Sequence, residues 1–207
     1  MLEGALMRRY RIACWMLGIG MSLGIARVAA EPMPAPGVDY RARARAPQGV
    51  EMSVAHHEGR LRMEIDSDNL SNGMVSLIDL GRHDMIVLMD MPGMDRIAVE
   101  MDLPPGFSYS DANRQGIRAG TGEVLGEACE LWRFETKALA QPVESCITAD
   151  GIVLKTSTSV DGKPLVLFEV LELERAPQDP ARFVLPKGVK VRRLPSSMRS
   201  LLPDLVR

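Results

Sequence analysis

The chain has 207 residues, 46% of them hydrophobic, 25% charged and 4% aromatic, with a formal net charge of −2. That balance excludes the concentrated positive field with which nucleic-acid binders attract their ligand. The length suits one domain that buries most of its apolar surface.

In chain order, the first 30 residues read as an export address. Arg8, Arg9 and Arg11 make a positive head, Ile12 to Ile25 carries no charge, and Arg27-Val28-Ala29-Ala30 ends in small residues. A membrane span would need about 20 apolar residues, so the pattern predicts a secretory signal peptide, residues 1–30, cleaved after Ala30. Its removal takes four of the 25 basic and one of the 27 acidic residues, leaving a net charge of about −5. Cys14 leaves with the leader and follows no lipobox, so no lipidation is expected. A periplasmic or secreted mature protein follows, without a membrane span because no second long apolar run occurs.

Pro-rich residues 31–37 predict a flexible lead-in, residues 38–194 a single β domain, and residues 195–207 a tail that forms a short turn or stays loose. Within the domain the side chains alternate with period two, the signature of half-buried strands. Arg41, Arg43 and Arg45 alternate with Ala42, Ala44 and Ala46. Val50–His56 leads through Glu58-Gly59 into Leu61, Met63 and Ile65, which alternate with Arg62, Glu64 and Asp66. Met74–Leu80 and Met85–Asp90 are short apolar strands, and Met94–Met101 follows a Pro92-Gly93 turn. That turn would pair Leu88 with Ile97 and Ile86 with Val99 as one apolar face. Leu103–Gly120 reads as a long loop with a helical turn after Ser110-Asp111. Gly122–Glu135 and Ser145–Lys155 are then neighbouring strands. Asp161-Gly162, a strong hairpin signal, joins Ile152–Val160 to Lys163–Glu174, setting Val160 against Lys163, Thr158 against Leu165 and Thr156 against Leu167. The expected fold is mainly β, one antiparallel sheet of roughly eight to eleven strands.

After the leader only Cys129 and Cys146 remain, an even pair in an oxidising compartment, which predicts a disulfide across neighbouring strands. The absence of Cys-x-x-Cys spacing argues against a redox pair.

Five methionines fall between Met85 and Met101. Met89, Met91 and Met94 have the Met-x-Met-x-x-Met spacing of thioether sites that capture Cu(I), with His83 a further candidate; the competing reading is packing. His56 and His57 are adjacent, so in a strand they face opposite sides and make a poor metal clamp; a surface pair is expected. The Arg41, Arg43, Arg45 row reads as a solvated face, a charged edge, or a contact for a phosphate headgroup or acidic partner. No Gly-x-Ser-x-Gly elbow, His-Glu-x-x-His or phosphate-binding glycine loop occurs, so no enzyme, catalytic residue or cofactor is expected.

Cys129-x-x-Trp132, Ser145–Leu154, Phe183-Val184-Leu185-Pro186-Lys187-Gly188 and the segment Met85–Pro104 together resemble an exported bacterial domain family of unknown function that is similar to the outer-membrane lipoprotein carriers, the LolA-like fold. The resemblance spans Tyr40 to Arg192. It implies a strongly curved sheet, an incomplete (half) β-barrel, with a loop or short helix over its concave face, and in the carriers that concavity holds acyl chains. The expected function is a cell-envelope binding protein for an apolar ligand, an acyl chain or a lipoprotein. The alternatives are a Cu(I)-binding protein or a structural envelope protein without a ligand. The half-barrel's apolar lining needs a ligand or a plug, since large exposed apolar patches are uncommon.

Overall fold

Alternation of the kind seen in Arg41–Ala46 satisfies the backbone only if each strand finds neighbours on both sides, and the chain solves this with one very large sheet. A computed structural model describes residues 29–65, 73–89, 96–103, 115–136 and 139–193. The expected leader (apart from Ala29 and Ala30), Met91, Met94 and the expected tail lie outside the described residues. The strands are β1 (Glu31–Pro32), β2 (Tyr40–Arg45), β3 (Glu51–His57), β4 (Arg60–Ile65), β5 (Met74–Asp79), β6 (Asp84–Met89), β7 (Ile97–Asp102), β8 (Gln115–Val124), β9 (Glu127–Phe134), β10 (Val143–Ile147), β11 (Val153–Val160), β12 (Lys163–Glu174) and β13 (Val191–Arg193). They form one open sheet in the order β1-β8-β9-β10-β11-β12-β2-β3-β4-β5-β6-β7-β13. All neighbours are antiparallel except β13, which adds to β7 in parallel. Among the described residues no helix is long and apolar enough to cross a membrane.

Most expected strands are present, and the differences have local causes. Gly122–Glu135 is two strands, because Leu125 and Gly126 both take positive φ (58° and 75°) and turn the chain between β8 and β9. Ser145–Lys155 is likewise split by a turn at Ala149-Asp150. Residues 115–120 belong to β8 rather than to a loop, while the expected helical turn after Ser110 lies outside the described residues. In the Asp161-Gly162 hairpin Val160 faces Lys163 and Thr158 faces Leu165 as expected. A bulge between Thr156 and Ser157 then sets Thr156 against Phe168 instead of Leu167.

Residues 31–37 are not a loose lead-in. Glu31 and Pro32 pair with Gly116 and Gln115, and Met33 is buried against Trp132, Phe134 and Val143. The Gly37 amide donates to the Asp150 carbonyl at 3.0 Å. Two glycines make this fit possible. A Cβ on Gly116 would stand 2.7 Å from the Met33 sulfur, and one on Gly151, whose φ is +84°, would stand 1.9 Å from the Ala35 carbonyl oxygen. The Cys129–Cys146 bond joins β9 and β10 with the Cα atoms 5.4 Å apart.

Beyond β12 the chain crosses the sheet as a strap and then forms β13. A short 3-10 turn at Pro180–Phe183 starts with Asp179, whose side chain accepts from the Ala181 amide. Leu185 and Val189 then cover Leu77, Leu88 and Ala98.

The strap is fastened near the two histidines, which are not a surface pair. His56 is 2% exposed, stacked on Tyr40 with ring centroids 5.5 Å apart. Its Nδ1–H donates to the Val38 carbonyl at 2.7 Å, and its Nε2 accepts from the Gly59 amide at 3.1 Å, an arrangement that only the neutral ring can make. His57 Nδ1 donates to Asp39 at 2.8 Å and its ring lies against Phe183, while Asp39 also accepts from the Gln178 amide at 3.0 Å. Burial pushes the His56 pKa below its ordinary value of 6.5, against the opposing pull of Val38 and Asp39. The unfolded chain therefore binds a proton that the folded chain refuses. This contribution to stability is full above pH 6.5 and drains away as the pH falls below it. The Asp39 carboxyl lies below its ordinary 3.8, chiefly through its hydrogen bond from His57, so its contribution persists to lower pH. The urea midpoint is expected to fall between pH 7.5 and pH 5, and His56→Gln should show a smaller fall; an unchanged slope in that variant would remove His56 as the cause.

Candidate functional site

Strand register decides which side chains share a face, since directly opposed residues in an antiparallel pair project together. On one face, three rows cross the sheet. The first runs Tyr40, His56, Leu61, Ile78, Met85 and Met101; the second runs Ala42, Val54, Met63, Ser76, Val87 and Val99. The third runs Ala44, Met52, Ile65, Met74, Met89 and Ile97. The first row is deeply buried from Tyr40 to Met85. In the third row Ala44 and Met52 are buried, but Ile65, Met74, Met89 and Ile97 are only half-buried. The apolar face thus opens along one margin, with Met63 half-buried in the row beside it; Met101, at the β7 end of the first row, is half-buried as well. Among the described residues six methionines stand on this face, and each flexible thioether can adapt to a neighbour that varies in shape.

The β6–β7 pairing corrects the expected one by a single residue. Leu88 opposes Ala98 and Val87 opposes Val99, a register one residue away from the one that a two-residue turn at Pro92-Gly93 would set. A shift of one moves every side chain of a strand to the other face. Ile97 and Val99 therefore join Met85, Val87 and Met89, while Ile86 and Leu88 lie on the opposite side. Of the expected copper ligands, Met89 is half-buried and packs against the core, and its direct neighbour across the strands is Met74. Met91 and Met94 lie outside the described residues. His83 lies far from Met89: it sits in the β5–β6 turn, separated from it by the length of β6, about 20 Å at strand rise. Among the described residues no three His, Cys, Asp or Glu side chains are grouped to hold a metal ion.

The opposite face is divided. Across β12, β2, β3 and β4 it is charged, and across β5, β6 and β7 it is largely apolar and lies partly under the strap. Arg41, Arg43 and Arg45 oppose Glu174, Glu172 and Glu169, and a bulge between Val170 and Glu172 lets glutamates spaced by three residues share this face. Arg41 reaches Glu174 at 2.5 Å, Arg43 reaches Glu172 at 2.6 Å and Glu51 at 3.0 Å, and Arg45 shares Glu169 with Lys155. Because β2 is paired on both sides, its arginines form a central ridge and not a charged edge. Across the small residues Ser53 and Ala55 of β3 stand Arg62 and, from the strap, Arg182, which share Glu64 at 2.5 and 3.2 Å. The Arg62 Nη1 also donates to the Arg182 carbonyl at 3.0 Å. Burial raises the Glu64 pKa, but the hydrogen bonds and charges of Arg62 and Arg182 outweigh it and hold the carboxyl below its ordinary value. The two ridges enclose a groove of about 620 Å³.

Met85 and Met89 stood out in the sequence, whereas Met52, Met63, Met74 and Met101 did not show there as parts of the same surface. Their alternation was visible; the register that aligns β3 to β7 was not.

No family model matches the chain, and no curated protein matches it. Its structure is similar to that of an uncharacterized conserved protein from Thermus thermophilus, with a TM-score of 0.54 and 15% identity over 76% of this chain and 91% of that one. It is also similar to PNGF-II, with a TM-score of 0.54 and 12% identity over 80% of this chain. The chain spans 32% of the length of PNGF-II. At these identities the likeness is one of fold.

Proposed function

We propose that this is an extracytoplasmic binding protein, periplasmic or secreted, which holds an apolar ligand such as an acyl chain or the lipid part of a lipoprotein against the methionine-rich face of β3 to β7. In this reading the open sheet is curled into a half-barrel of the lipoprotein-carrier type, and the protein binds its ligand without transforming it. The half-buried margin of Ile65, Met74, Met89 and Ile97 carries the proposal. A continuous apolar row left partly open calls for a cover, and an acyl chain supplies one without any polar partner. Two further features support it: a core cluster that draws residues from nine strands, Cys129 in β9 and Val87 in β6 among them, and a disulfide suited to an oxidising compartment.

Native mass spectrometry and lipid extraction of the exported protein should find bound lipid, and a fluorescent fatty acid should bind. Met74→Gln and Met89→Gln place an amide among apolar groups and should weaken that binding about tenfold each. Absence of both extracted lipid and probe binding would refute the proposal.

The direct opposition of Met74 and Met89 favours Cu(I) capture as a second reading, with Met91 and Met94 as further ligands. Leucine at Met74 and Met89 separates the two readings. It keeps the apolar volume, so an acyl chain stays bound, but it removes the thioether sulfurs.

A further inference from the structure

We propose that the groove on the charged face is a second binding site, for a compact ligand bearing two or more anionic groups, phosphate or carboxylate. It lies on the side of the sheet opposite the methionine rows, so it cannot serve the same ligand as they do and stands independently of that reading.

Ser53 and Ala55 are the small residues of the β3 row, flanked by long side chains on β2 and β4, and the difference in length hollows the face between them. The resulting space of about 620 Å³ is within the range that encloses a small molecule. Two strand spacings separate the ridges, roughly 10 Å, enough to admit a ligand between them.

The chemistry of the ridges supplies the class of ligand. Arg41 and Arg43, with Glu172 and Glu174 beside them, form one wall, and Arg62 and Arg182, with Glu64 between them, the other, so guanidinium groups reach the groove from both sides. Arginine's planar fork of donors matches the oxygens of phosphate and carboxylate. Glu172 and Glu174 belong to β12, one strand further from the floor than the arginines they hold. They fix the guanidinium directions, which lowers the ordering cost of binding. Guanidiniums held in this way keep N–H groups to spare: Arg41 bonds Glu174 through Nε and Nη2, leaving Nη1, and Arg62 uses Nε and Nη1, leaving Nη2. Glu64, wedged between Arg62 and Arg182, is the carboxylate whose place a ligand oxygen would take. A ligand with a single anionic group reaches one wall; one with two groups bridges them and gains from both.

The test is calorimetric titration of the mature, disulfide-bonded protein with tripolyphosphate and, separately, with citrate, at low and at moderate salt. Binding of one or both that weakens as salt rises is expected, with inorganic phosphate at least tenfold weaker. Arg62→Gln and Arg43→Gln should each lower the affinity about tenfold. Arg43→Gln touches no residue of the strap and so controls for loss of the strap's fastening, and Arg133→Gln, at a solvent-exposed pair elsewhere on the sheet, should leave binding unchanged. Tripolyphosphate alone binding identifies a phosphate ligand; citrate alone binding identifies a carboxylate one. No binding of either anion, or equal binding by wild type and both groove variants, overturns the proposal. Fatty-acid binding should be unaffected by Arg43→Gln, so failure here and failure of the apolar site are distinguishable.

Discussion

Gly151→Val is expected to destabilise the protein by about 4 kcal/mol and to release residues 31–37 from the sheet. The new Cβ would stand 1.9 Å from the Ala35 carbonyl oxygen and 2.8 Å from the Pro36 nitrogen, both backbone atoms that no side-chain rotation can move. Gly151 also has φ +84°, where a β-branched residue costs roughly 1–2 kcal/mol in its own right. With the segment displaced, the Gly37–Asp150 hydrogen bond is lost, worth about 1 kcal/mol. Met33, 9% exposed in the fold, would return to water at a further cost of about 2 kcal/mol. For a domain of this size the melting temperature should fall by about 10 °C. Limited proteolysis should cut the variant between residues 31 and 37 while leaving the strands intact. A drop under about 3 °C, with this segment still protected, would mean that the contact is readily relieved.

Loss of the Cys129–Cys146 bond should cost about 3 kcal/mol, the loop-closure entropy for a sequence separation of 17 residues. The effect is expected from the unfolded state more than from lost contacts, because β9 and β10 remain hydrogen-bonded neighbours in the folded chain without the bond. Cys129→Ala/Cys146→Ala should therefore keep the native far-UV spectrum and melt about 9 °C lower, and reduced wild type should melt near the double variant. Both cysteines are 5% exposed, so reduction should be slow unless the sheet opens. A double variant as stable as the oxidised protein would show that the unfolded chain is already constrained between these positions.

These two features divide between what could be read from residues and what could not. The cysteine pair was legible: with Cys14 assigned to the expected leader, two cysteines form an even count, and the segment between them can turn. The Gly151 fit was not, because a glycine after Asp150 reads as an ordinary turn until Ala35 is seen resting on it. The same holds for the candidate site. Leu61, Met63 and Ile65 announce one strand face, and Met85 and Met89 another. Only the register Met63–Ser76–Val87 and Ile65–Met74–Met89 makes them a single surface.

Local chemistry by itself determined the strand character of the chain, the Asp161-Gly162 hairpin, the disulfide and the charged alternation of β2, since each depends on residues close in sequence or on counting. Tertiary structure alone decided the rest. A one-residue change of register costs little locally yet flips a whole strand, as between β6 and β7. The burial of His56 and the course of the strap depend on partners far along the chain, such as Val38 and Gln178, whose pairing no local pattern encodes. Side-chain alternation has a period of two and says which residues go together within a strand; it is silent on which strand stands next to which.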